Sequence, residues 1–378
     1  MRYWPVLLLL CAPGALVANC ALEQYSNESG PAAPTSTVGP GGGGGAGGGT
    51  GGGTGGGECP HETYPDPPDG GTEGGDLDIV LAIREIFVND EEGNPVGFDL
   101  ENVCTCQGQG PTCLAPPNGF DCDAPRGIDN NLSSVFPVLA LALNVPDLAT
   151  YYSARAEDGE WSLLMRIRDY NGEANDPQVR LSWYVTNGSM APPTWQGLDG
   201  WAISAASVQA GPDGGLDIDS PTFTDDYAFV NDNTLVASMP QADLTIGGGA
   251  NRIVFRVKAG GVVAHLEQET GLWYATRSRI FGRLQVDDMF YAISTFRDGS
   301  GSAICTGDIF YNQLKSGLCT LPDILAELGS STTPCNAISV GLGFEAEEAR
   351  LGEISTPLPT DGGCPDGESP ADDTCPTL

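Results

Sequence analysis

The chain has 378 residues, with sixteen basic against fifty acidic side chains and a formal net charge of −34. Its basic residues are scattered, so nucleic acid and anionic lipid headgroups are poor partners on electrostatic grounds. An acidic surface draws cations instead, which makes calcium the natural ligand to look for.

Residues 1–20, MRYWPVLLLLCAPGALVANC, carry Arg2, a short apolar run and then Pro13 and Gly14. That layout predicts an export signal, and the run is too short for a stable membrane span. Val17-Ala18-Asn19-Cys20 resembles a bacterial lipobox with Cys20 as the lipidated residue, although Asn19 departs from the usual small residue. Cleavage after Ala18 by an ordinary signal peptidase is the alternative. Residues 21–75 are dominated by Gly, including GPGGGGGAGGGTGGGTGGG at 39–57. Such a composition buries too little apolar surface to offset its ordering entropy and predicts a tether. His61 and Glu62 fall inside it and lack the second histidine of a metalloprotease motif.

The globular head is expected over 76–356. It opens on DLDIVLAIREIF, whose alternation predicts a half-buried strand. Further strands are expected at 96–103, 160–170, 178–186, 227–230, 234–238, 252–257, 262–268, 272–281 and 336–345. Turn signals separate them, Gly260-Gly261 among these. About ten strands with hairpin-length gaps favour a mainly β fold, an antiparallel two-sheet β-sandwich of jelly-roll or concanavalin-like type with a few short helices. Its first and last strands are both apolar and can pair. Helices are expected at 134–143 with Ser133 as the cap, at 285–296, and briefly after Cys305 and after Pro322. The tail, 357–378, is rich in Pro, Gly and Asp.

Setting aside Cys11 and Cys20 leaves ten cysteines: Cys59, Cys104, Cys106, Cys113, Cys122, Cys305, Cys319, Cys335, Cys364 and Cys375. An even number in an exported chain argues for disulfides rather than a zinc site. Local pairs are expected within 104–122, between Cys305 and Cys319, and between Cys364 and Cys375.

Gly97-Phe98-Asp99-Leu100-Glu101, the cysteine cluster after it, Gly127-Ile128-Asp129-Asn130, and the run from Cys335 to Glu345 form a pattern. It resembles a group of uncharacterised exported lipoproteins of myxobacterial type over most of 76–352. The resemblance implies a bacterial surface location and no catalytic residue.

Three constellations carry possible chemistry. FDCDAPRGIDNN at 120–131 places Asp121, Asp123, Asp129 and Asn130 near one another with Gly127 between them, as an oxygen-ligand calcium loop would, with Asp99 or Glu101 to complete it. It is not an EF-hand, because its glycine comes one position late and no glutamate closes it. The other reading is a cysteine-pinned turn that leads into a helix. TWQGLDGW at 194–201 sets Trp195 and Trp201 beside Asp199, a candidate glycan-binding loop, or else core filler. Glu267/Glu269 and Glu345/Glu347 have the two-residue spacing with which a strand presents paired carboxylates to a sugar bond, and His265 shares a strand face with the first pair. There is no G-x-S-x-G elbow.

The leading expectation is a lipid-anchored cell-surface binding or structural module, with a glycan or another surface component as partner and a structural calcium. The rival is a secreted polysaccharide hydrolase that uses a carboxylate pair on a strand.

Overall fold

The computed structural model describes residues 59–119, 122–212, 214–327, 329–356 and 363–376. The export signal, Cys20, the tether as far as residue 58, and Asp121 lie outside them. The first strand, β1 (Leu77–Phe87), buries Ile79, Leu81 and Ile83 as its alternation predicts. Two helices follow, α1 (Leu132–Leu143) and α2 (Leu148–Glu157). The strands β2 (Leu163–Tyr170), β3 (Asp176–Ser189), β4 (Gly200–Ser204), β5 (Val208–Ala210), β6 (Leu216–Pro221), β7 (Phe223–Asn231), β8 (Thr234–Ile246), β9 (Ile253–Glu269) and β10 (Leu272–Gln285) come next. The chain then forms α3 (Val286–Thr295), α4 (Ile309–Leu318), β11 (Ala337–Glu348) and β12 (Arg350–Ser355).

Instead of two facing sheets, eight strands close on themselves. Their order runs β3-β2-β1-β11-β10-β9-β8-β7, and β7 pairs back onto β3. Every ladder around this ring is antiparallel. Closure pairs most of the strand edges within the ring. The β1–β11 pairing joins the first and last strands of the ring, and the expected partners 76–90 and 336–345 meet in it. An eight-stranded barrel is narrow enough for side chains to fill. Here Leu81, Met165, Leu181, Val230, Ala264, Ile280 and Leu342 do so, in one apolar cluster with the buried faces of all four helices. Outside the ring, β4 and β12 run parallel to each other and extend the sheet from β3.

The sandwich expectation failed partly at Gly260-Gly261. These glycines read as a turn between two strands, yet β9 runs straight through them. A Cβ on Gly260 would lie 2.0 Å from the Phe281 carbonyl oxygen, and one on Gly261 would meet Ala237 and the Phe281 ring. Close approach between neighbouring strands, not reversal, is what requires glycine there.

Other expectations shift in detail. The segment 96–103 forms no strand, only a bridge from Phe98 to Asp129. No helix follows Pro322, and α2 was not anticipated. Residues 59–75, counted with the tether, lie against the barrel: Tyr64 stacks on Phe281 and meets Phe98 edge-on. The disulfides are Cys59–Cys104, Cys106–Cys122, Cys113–Cys335, Cys305–Cys364 and Cys319–Cys375. Only Cys106–Cys122 keeps to the expected local pattern. The last two interleave, so that Cys305 and Cys319 each reach the tail rather than each other. Among the described residues no single helix is long and apolar enough to cross a membrane.

Candidate functional site

Two irregularities in the barrel wall meet at one residue. The pairing of β1 with β11 shifts between Ile83 and Glu85, and that of β10 with β11 shifts between Ala275 and Ser278. On each bulged strand the buried positions are three apart, Ile83 to Ile86 and Ala275 to Ser278. The extra residue turns Arg84 and Glu85 together to the outer face, and Thr276 and Arg277 likewise. Bulges of this kind re-aim side chains and recur beside active sites. Arg277 adopts φ 49, an uncommon left-handed conformation for a side-chain-bearing residue. Between the bulges lies Glu345 of β11, directly opposite Glu85.

Here the outer wall and α2 enclose a cleft of about 530 Å³, lined among others by Arg84, Glu85, Glu157, Tyr274, Glu345 and Glu347. Helix α2 is anchored by its Asp147 cap, which accepts from Thr150 N at 2.7 Å, and by Ser153, whose Oγ bonds the backbone of Ile86. Phe87 lies across Gly343, where a Cβ would come within 2.1 Å of the ring, and forms part of the same wall. Glu345 and Glu347 share the outer face, about 7 Å apart along the strand. Arg84 binds Glu347 at 2.5 Å and Glu157 at 2.8 Å. The Glu345 carboxyl titrates above the ordinary range, first because it is partly desolvated and then because Glu85 and Glu347 add negative charge. One carboxyl is thus biased toward the acid form, and its neighbour is paired with a guanidinium.

The tryptophan loop meets this cleft from the side. Asp199 accepts from Thr194 N, Thr194 Oγ1 and Trp195 N, and so holds Trp195 at φ 55. The half-buried Trp195 indole sits 5.4 Å from the Arg84 guanidinium carbon and donates to the Glu157 carbonyl. Trp201 is fully buried in a small outer core with Tyr184 and Ile203. Of the three residues expected to bind a ligand, Asp199 is occupied with its own loop and Trp201 packs inside. Trp195 alone reaches the wall of the cleft, through Arg84 and Glu157. The other carboxylate pair, Glu267/Glu269, bounds none of the cavities described here, and its neighbour His265 faces Thr234 and Glu267.

The expected calcium loop is only partly assembled. Asp123 accepts from Thr105 N at 2.5 Å and Asp129 from Leu100 N at 2.7 Å. Both border a cavity of about 320 Å³ to which Asp323 adds a third carboxyl. Asn130 is spent: it donates to the Val88 and Val96 carbonyls and accepts from Gly341 N and Ser133 N. The N-cap of α1 is Asn131 rather than the expected Ser133, which lies inside the helix. Burial pushes Asp129 up to about 10, with the Asp123 and Asp323 charges next in importance. Burial likewise pushes Asp123 and Asp323 up to about 7. Asp99 and Glu101, proposed to complete the loop, face elsewhere: Asp99 pairs with His61, and Glu101 accepts from Thr112.

A second cluster was missed because one of its members, His61, lies in the supposed tether. Ligand atoms of His61, Asp99 and Cys104 lie within 4.8 Å of one another. Asp99 is buried and accepts from Glu101 N and Val103 N in addition to His61 Nδ1. Cys104 is bonded to Cys59, so it offers no thiolate. Glu62 is tied to Arg279 at 2.7 Å and to Arg126. The cluster can hold a ligand through an oriented histidine. The signal that was available was His61-Glu62 itself, two residues from Cys59.

No protein-family model, curated protein or solved structure matches this chain.

Proposed function

We propose that the barrel is a glycan hydrolase whose active cleft is the bulged wall around Glu345. The observation that carries this reading is the Glu345/Glu347 pair: two carboxyls on one strand face in a cleft, one raised by desolvation and neighbouring negative charge and the other paired with Arg84. Glycoside hydrolysis needs that division of roles, with a carboxyl separation of about 5–10 Å. Glu345 donates its proton to the oxygen of the departing sugar. Glu347, positioned by Arg84, acts at the anomeric carbon either directly or by taking a proton from water. Water supplies the hydroxyl on the new reducing end: in the direct route Glu345 takes the proton of the water that displaces the sugar from Glu347, and in the other Glu347 keeps water's proton and passes it to solvent while Glu345 is reprotonated from solvent. Tyr274 lines the site and Trp195 packs against Arg84 of its wall; aromatic faces suit the C–H faces of a sugar ring.

This reverses the order of the two expectations. A non-catalytic module gives no reason for Glu85 and Glu345 to stand directly opposite, since like charges so placed destabilise a ladder. Two further elements belong to the same proposal. Calcium would bind at Asp123 and Asp129, where its charge would offset that of the crowded carboxylates. The head would be exported and tethered to a membrane through lipidated Cys20, visible as a diacylglycerol mass on the native protein.

The direct test is reducing-sugar release from a panel of purified polysaccharides by the full chain, run with calcium and with EDTA. The proposal expects release from at least one of them. Binding without release from any would assign the cleft to recognition and overturn hydrolysis.

A further inference from the structure

The barrel closes unevenly. Strands β7 and β8 pair only at Phe229↔Val236, Val230↔Leu235 and Asn231↔Thr234. Beyond that point the start of β7 pairs with β3, while β8 from Ala237 to Ile246 pairs with β9 alone. The last tie across the divergence is Asp225, whose carboxylate accepts from Ser238 N at 2.6 Å. Past it the two strands part and leave a cavity of about 480 Å³, far from the bulges around Glu345 in the order of strands.

Its walls are unlike the rest of this acidic surface. Trp183, 5 % exposed, and Phe223 face each other across the β3–β7 ladder, and Tyr291 of α3 borders the same space. The cation that lines it is Arg252, which is half-buried and whose Nε is buried without a hydrogen-bond partner. Among the described residues Arg252, Arg297 and Arg350 make no ion pair. Arg297 donates to the carbonyls of Ser294 and Phe296, and Arg350 is exposed. Arg252 is therefore the arginine that meets a cavity with its charge unanswered, in a chain with fifty acidic residues to offer. The acid on the same wall, Asp243, is more than half exposed and lies 3.8 Å from Arg256. An unpaired guanidinium with a buried nitrogen costs free energy that a bound anion recovers.

We infer that this gap between β7 and β8 is a second ligand site, which takes a small anion with an aromatic or apolar body. The anionic group bonds Arg252, and the body lies between Trp183, Phe223 and Tyr291. An aromatic pocket with one convergent charged group has the composition of a small-molecule site. The inference does not depend on hydrolysis at Glu345.

The test uses two fluorescent probes of nearly the same shape, anilinonaphthalene sulfonate and its uncharged counterpart N-phenyl-1-naphthylamine, titrated into the full chain. The sulfonate is expected to bind saturably at one site and to quench tryptophan emission. Arg252→Gln should weaken it by about tenfold or more, the scale of one charge-assisted hydrogen bond, and leave the neutral probe unchanged. Gln241→Trp fills the cavity from an exposed strand position and should exclude both probes while circular dichroism stays that of the wild type. Sulfonate affinity unchanged in Arg252→Gln, or both probes still bound by a folded Gln241→Trp variant, overturns the site.

Discussion

Asp129→Asn should make the protein more stable at neutral pH, and the gain should grow as pH rises. Asp129 is 4 % exposed, and its carboxyl is pushed up to about 10 from an ordinary 3.8. Above pH 4 the unfolded chain releases this proton and the folded chain keeps it. The native state then binds more protons than the unfolded state, and stability is lost steadily as pH rises through that window. At about 1.4 kcal/mol per pH unit, the loss at pH 7 is about 4 kcal/mol, against about 1 kcal/mol at pH 4.5. Asparagine cannot ionise, and its Oδ1 can still accept from Leu100 N, the bond that Asp129 makes at 2.7 Å. Urea unfolding of wild type and variant in EDTA, at pH 4.5 and at pH 7, measures the difference directly. The variant should gain about 3 kcal/mol more at pH 7 than at pH 4.5. An equal effect at both values, or destabilisation at both, would refute burial as the cause of the shift.

The two tryptophans of the 194–201 loop should separate function from folding. Trp201→Ala removes a fully buried ring and should cost about 3–5 kcal/mol in thermal or urea unfolding. Trp195→Ala, which removes a half-buried ring beside Arg84, should cost less stability and instead weaken glycan binding in isothermal titration. Calcium at millimolar concentration should raise the melting temperature of the wild type and have little effect on an Asp123→Asn/Asp129→Asn double variant; an unchanged wild-type value after EDTA treatment would remove the metal from the account. Replacing Cys113 and Cys335 together by alanine opens a link across 222 residues and should cost about 3–5 kcal/mol, read as a lower urea midpoint.

Much of the barrel can be read from local patterns. Leu77 to Ile83 alternate, and the strand they predict is β1. The apolar run from Ile338 to Phe344 becomes β11, its partner. What joins them into a ring is not local. The β3–β7 ladder pairs Trp183 with Phe223, forty residues apart, and no periodicity announces such a contact. Long strands also hide as pairs of short ones when glycine interrupts them, as at Gly260-Gly261. Helix α2 has a weakly amphipathic sequence, and its only clear signal is Asp147 as a cap before Leu148.

The site divides in the same way. Two residues apart on a strand, Glu345 and Glu347 share a face wherever that strand sits, so sequence spacing was sufficient to name them. Arg84, Glu85 and Glu157 join them through a bulge and a helix from elsewhere in the chain, and neither is visible in composition. Fifty acidic residues gave the opposite difficulty for the 120–131 loop. Many oxygens were available on paper, but Asn130 spends its amide on Val88, Val96 and Gly341. Asp323, the carboxyl that does reach this cavity, comes from nearly two hundred residues further on.

The division of labour between the two β11 carboxyls is tested most directly by comparing wild type with Glu345→Gln on a polysaccharide that the wild type cleaves. Glutamine keeps the size and polarity of the side chain but has no carboxyl proton to donate. Turnover should fall by about a hundredfold or more, the scale of general acid catalysis, while affinity for the polysaccharide stays within a few-fold of wild type. Turnover that survives in Glu345→Gln but is lost in Glu267→Gln would contradict the assignment and move the active site across β10 to β9.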